Sequence, residues 1–148
     1  MCFFAILPVP SARWPTSIKQ GITRMNKLLQ VLVVLAALFF IVVGLRWAVD
    51  PAGAAAMLGM PLLEGAGRSS QMADTGVFFL ATGMLILTAV VTARRSWYHV
   101  PALILFGAAI YRIVAWLFHD AAFVADGIAV EVVVGSLLLF AGARLARE

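Results

Sequence analysis

Four long apolar stretches, each separated from the next by a polar segment, leave this chain few ways to fold. A helical bilayer crossing needs about 20 apolar residues. Stretches of roughly that size run over residues 28–45, 75–93, 100–118 and 121–143. Each is continuous and rich in Leu, Ala and Met as well as Val, which reads as helix; a membrane barrel shows shorter, alternating strands. Composition agrees. The chain is 64% apolar and 12% charged, whereas a soluble domain is about 45–50% apolar and about 25% charged. The expectation is an all-α integral membrane four-helix bundle of one domain, residues 25–148.

Basic residues orient the spans. Arg13, Lys19, Arg24 and Lys27 precede the first, Arg94 and Arg95 separate the second from the third, and Arg144 and Arg147 follow the fourth. Asp50, Glu64, Asp74, Asp120 and Asp126 gather at the other ends. Both signals give N-in, C-in, in the inner (plasma) membrane of a cell. Trp97 and Tyr98 at one boundary, with Trp47 and Trp116 near the other, fit an aromatic belt; packing between helices is the alternative, most evenly balanced for Trp116.

Residues 1–24 lack a basic segment before their apolar part and are broken by Pro8 and Pro10, so they make a poor signal peptide. "MNKLLQVLVV" at Met25 looks like a natural membrane-protein start. The leader is expected to be poorly ordered, either as a start-site artefact or as a short cytoplasmic tail.

The long connection, "RWAVDPAGAAAMLGMPLLEGAGRSSQMAD", holds Asp50 and Pro51, a helix-start pair in which Asp accepts from free amides and Pro suits the first helical position. "PAGAAAMLG" should form a short interfacial helix ending near Gly59, acting as a lid or as a plain connector. Gly65 and Gly67 then allow a turn, and Ser69 or Ser70 caps span two. "ADTGVFFLATGMLIL" also aligns without gaps on "ADGIAVEVVVGSLLL", which pairs Asp74 with Asp126 as in a duplicated hairpin.

Ionisable groups inside spans cost about 2.5–3.5 kcal/mol each on insertion scales, so they face the bundle interior and find partners. At about 1.5 Å per residue, Arg112 lies roughly 10 Å in from His119, level with Asp126, and Glu131 lies roughly 16 Å in. Gly127, Glu131, Gly135 and Gly142 share a stripe that should face protein; Ala108, Arg112, Ala115 and His119 line one side of span three. Arg112 is therefore expected to pair with Asp126, Glu131 or both, and Asp74 with Arg46 or Arg68. The candidate polar cluster is Arg46, Ser70, Gln71, Asp74, Arg112, His119, Asp126 and Glu131. Three readings stand: charges that only fix helix register, a polar ligand pocket, and a proton carrier at Glu131.

Other classes fall away. The net charge of +4 forms no basic patch with interleaved aromatics, which argues against nucleic acid. Cys2 is the single cysteine, and His99 and His119 sit in no metal-binding pattern, so neither a disulfide, a metal nor another cofactor is expected. No nucleophile–base spacing or phosphate loop suggests an enzyme.

"GLRWAVDPAGAAAMLGMPL", "GRSSQMAD" and "RIVAWLFHDAAFVADGIAVEVVV" resemble a bacterial family of small four-span membrane proteins, the DUF4345 type, over residues 26–145. That resemblance implies a fold and a compartment rather than a mechanism. The chain is also distantly similar to DoxX-like four-helix membrane proteins, some of them associated with quinone-linked redox chemistry. Together these readings describe a membrane bundle that is structural, or holds a small apolar or lipid-like ligand such as a quinone, or serves as a subunit beside a membrane-protein partner. A small proton-coupled transporter using Glu131 is the alternative. A homo-oligomer would form through small residues such as Gly76 and Gly83.

Overall fold

The computed structural model describes residues 16–146. The leader therefore falls partly on residues 1–15, outside the described residues, as do 147–148; residues 16–24 form the first turns of a helix. The elements are α1 (Thr16–Val49), α2 (Pro51–Met57), α3 (Gly65–Gln71), a π-helical turn (Met72–Gly76), α4 (Val77–Thr92), α5 (Arg95–Phe118) and α6 (Ala125–Leu145). Among them, Met25–Val49, Gly65–Thr92, Arg95–Phe118 and Ala125–Leu145 are long and apolar enough to cross a bilayer. The protein is an all-α four-helix bundle and a multi-pass membrane protein.

Helix ends follow local chemistry. Asp50 leaves the helical conformation, and its carboxylate accepts from the Gly53 amide at 2.9 Å while Pro51 occupies the first position of α2. At the other end of α2, Gly59 turns left-handed (φ 68°). Its amide donates to Ala56 and that of Met60 to Ala55, an arrangement that satisfies the last carbonyls of a short helix. Gln71 then holds the following loop, accepting from the Leu63 amide and donating to the Pro61 carbonyl, each at 3.0 Å. Ser69 and Ser70 do not cap span two. They lie inside α3, because the helical run begins at Gly65, ten residues before the expected start, with Glu64 in the flanking position.

Close approach of small residues sets the pairing. A methyl group at Gly83 would stand 2.7 Å from Ile41 Cγ1 and 2.8 Å from the Ala37 carbonyl oxygen, and one at Gly76 3.0 Å from Trp47 Cβ. This antiparallel α1–α4 contact is completed by Phe40 stacked on Phe79 at 5.6 Å. On the other side, Gly127, Gly135 and Gly142 lie against Arg112, Phe106 and Tyr98, which makes α5 and α6 an equally close antiparallel pair. α4 also meets α5, and α6 closes the ring on α1. The start of α1, the α4–α5 turn and the end of α6 thus share one end; α2, α3 and the α5–α6 connection share the other, the α2 end.

Three expectations are corrected by this packing. Gly76 and Gly83 are buried within the chain, so they offer no seam for a second copy. Trp47 and Tyr98 are 1% exposed and belong to the interior rather than to an aromatic belt; Trp47 is enclosed by Ala54 and Ala55 of α2. The fourth span starts at Ala125, not at 121, because residues 119–124 are needed to turn the chain, with Asp120 left-handed (φ 50°). The bundle's outer face is apolar: Leu28, Leu35, Val42, Leu103, Ile110 and Val133 are all exposed. In water so much exposed apolar surface would be a liability, whereas in a bilayer it meets lipid at no cost.

Candidate functional site

Starting α6 at Ala125 decides which acid Arg112 meets. Arg112 lies six residues from the end of α5 and Glu131 six from the start of α6, about 9 Å down the bundle in each case. The two are level. Arg112 Nε donates to Glu131 Oε1 at 2.8 Å. Asp126, expected to be level with Arg112, instead occupies the exposed first turn of α6, where a negative charge suits the helix dipole. It makes no ion pair among the described residues.

The pair is asymmetric. The Glu131 side chain is 6% exposed and that of Arg112 38%. Gly127 allows the guanidinium to lie close on α6: a methyl group there would be 3.2 Å from Arg112 Cζ. Among the described residues the only side-chain hydrogen bond of Arg112 is through Nε, and Glu131 Oε2 is buried with no hydrogen-bond partner. The buried Trp47 Nε1 and Thr82 Oγ1 are also unpartnered. An unsatisfied buried polar group costs about 1–3 kcal/mol, and more when charged, so the carboxylate oxygen is the costliest of the three.

Glu131 and Arg112 form part of the walls of two cavities at the α2 end. A cleft of about 820 Å³ is lined by Asp74, Thr75, Phe78 and Phe79 on one side and Ala108, Tyr111, Arg112 and Ala115 on the other, with Leu58, Gly59 and Met60 from the end of α2. A smaller chamber of about 220 Å³ faces α1, where Phe39, Phe40, Asp126 and Gly127 join Arg112 and Glu131. The π-helical turn carries Asp74 and Thr75, both on the cleft wall. Such a turn widens the helix by one residue and is frequent at functional sites.

Of the eight polar residues expected to cluster, Asp74, Arg112 and Glu131 line the cleft, and Asp126 joins the last two in the chamber. The other four serve elsewhere or stand apart. Arg46 bonds Asp50 at 3.1 Å rather than Asp74, since Asp50 stands only four residues further along the chain, within reach of one helical turn. Gln71 holds its loop, while exposed Ser70 and His119 do not line either cavity. Arg68 donates to the Leu63 carbonyl at 2.8 Å, and Asp74 makes no ion pair among the described residues. The site residues missed from the sequence are chiefly aromatic: Phe78, Phe79 and Tyr111. Spacing offered one signal, because Phe78 lies four residues beyond Asp74, on the same helix side.

Outside the spans, the Asp50 carboxyl is held below the usual carboxylate range, first by the Gly53 amide and then by the Arg46 guanidinium. Comparison with family models, curated proteins and solved structures found no match.

Proposed function

We propose that the protein binds a small amphipathic molecule within the membrane, in the cleft beside Arg112 and Glu131. The observation that carries this reading is Glu131 Oε2, a buried carboxylate oxygen on the cleft wall with no donor among the described residues. A cleft of about 820 Å³ is of the size that takes small ligands, about 300–1,000 Å³. Its walls are mainly apolar with a few convergent polar groups, as such sites require. We assign it no catalytic step. Kinship with the four-span family named above, residence in a bacterial inner membrane and the N-in, C-in orientation are parts of the same proposal, the last resting on the cationic end formed by Lys27, Arg94, Arg95 and Arg144.

Native mass spectrometry of the protein released from membranes tests it. Wild type should carry a small-molecule adduct. Ala108→Phe, which fills the cleft without removing a charge, should lose it while remaining folded. A wild type free of adduct, beside Arg112→Gln and Glu131→Gln variants that only unfold, would reduce the pair to a structural role.

Proton-coupled transport is the second reading, favoured by one feature: Glu131 is a buried carboxylate that borders two adjoining cavities. Arg112 would have to release the carboxylate before a proton took its place. Proton flux into proteoliposomes that disappears in Glu131→Gln would support it, and silence across a broad substrate panel would count against it.

A further inference from the structure

We infer that the molecule taken by the cleft is an amphipathic cation, a protonated amine on an apolar body. This rests on the ligand-binding reading above and adds the chemical class. Three features converge on it. Glu131 gives one oxygen to Arg112, and its second oxygen accepts but cannot donate, so an occupant must bring an N–H or O–H. A carboxylate or phosphate group brings no donor and adds like charge.

The second feature is the balance of charge. Asp74, Asp126 and Glu131 line the two cavities against the single guanidinium of Arg112. Asp74 and Asp126 make no ion pair among the described residues. The cavities therefore carry uncompensated negative charge, with Glu131 buried and Asp74 and Asp126 exposed, and a cation is drawn in more strongly than a neutral alcohol. The third feature is the wall itself. Phe78, Phe79 and Tyr111 line the cleft and Phe39 and Phe40 the chamber, and the face of an aromatic ring attracts an ammonium within about 6 Å of its centroid. The apolar remainder of the wall, Leu58, Met60 and Val124 among it, suits the ligand's body.

An ammonium on an apolar body has two sources in a membrane: a free amphipathic amine, or the head group of an ethanolamine lipid. The full chain in phosphatidylcholine nanodiscs, whose head group has no N–H, is titrated with dodecylamine, 1-dodecanol and dodecanoate and read by native mass spectrometry. One chain length with three heads isolates the head group. Dodecylamine should half-saturate at a concentration about tenfold lower than dodecanol, the factor that roughly 1.4 kcal/mol represents, and dodecanoate should bind weakest. Asp74→Asn, at an exposed position that leaves the Arg112–Glu131 pair intact, should narrow the preference for the amine. Repeating the titration in phosphatidylethanolamine discs names the source: competition points to the lipid, undiminished binding to a free amine.

Equal binding of dodecanol and dodecylamine, or tightest binding of dodecanoate, overturns the cation while the cleft remains a binding site. Binding of all three probes that is unchanged in Ala108→Phe overturns the binding site as well.

Discussion

Gly127 of α6 lies directly against the guanidinium of Arg112, so close that a methyl group on its Cα would stand 3.2 Å from Cζ and 3.3 Å from Nε. That contact lets Nε reach Glu131 one turn further along α6. Gly127→Ala should be nearly neutral, because a shift of a few tenths of an ångström offsets a gain in helix propensity of up to about 1 kcal/mol. Gly127→Val should displace the guanidinium and lower stability by several times the alanine effect. Unfolding by SDS titration in mixed micelles compares the two.

Arg112 and Glu131 should behave as a unit. Removing one partner strands a buried charge, and Arg112→Met alone is expected to cost about 3–5 kcal/mol. Arg112→Met combined with Glu131→Leu removes both charges and should recover most of that loss, since an apolar replacement of a buried pair is often neutral or better. A double-mutant cycle on the unfolding free energies measures the coupling; additive single effects would show that the pair does not act together.

Two helical glycines should respond in opposite ways. Gly83→Ala drives a methyl group into the Ala37 carbonyl oxygen and Ile41, and overpacking of this kind costs about 1–3 kcal/mol. Among the described residues nothing lies within 4 Å of the same point at Gly107, so Gly107→Ala should be neutral or stabilising by up to about 1 kcal/mol. Thermal unfolding of both variants in one detergent checks the contrast.

Asp50 should give the connection between the first two spans a pH dependence. Its folded-state pKa is lowered from 3.8, chiefly by the Gly53 amide and then by Arg46. A lowered carboxyl pKa contributes stability that is fully present above the unfolded value and is lost as the pH falls through the folded one. Wild type and Asp50→Asn should therefore differ in thermal midpoint by a constant amount at neutral pH. The gap should close as the pH drops below 3.8; a gap that persists unchanged into stronger acid would deny the carboxylate this role.

Much of the architecture was legible because local rules govern it. The spans follow from apolar length, and α2 follows from Asp50, Pro51 and Gly59, whose capping and turn chemistry acts within a few residues. The stripe of Gly127, Glu131 and Gly135 was readable from helical periodicity, and it does face α5. Trp47 and Tyr98 were misplaced because burial and a membrane boundary select the same amphipathic aromatics. The π-helical turn at Asp74 carried no sequence signal: one extra residue in a helix is accommodated by neighbours distant in the chain.

What these residues dictate in order is a membrane bundle, since an unbroken apolar run in lipid must satisfy its own backbone and does so as a helix. Which carboxylate receives Arg112 was beyond that reasoning. Residues 121–124 are as apolar as the span that follows, so hydropathy does not mark the start of α6. Packing places it at Ala125, where the chain has turned and the glycine stripe meets α5. That offset sends Asp126 to the helix end, brings Glu131 level with Arg112, and leaves one buried oxygen on the wall of the cleft.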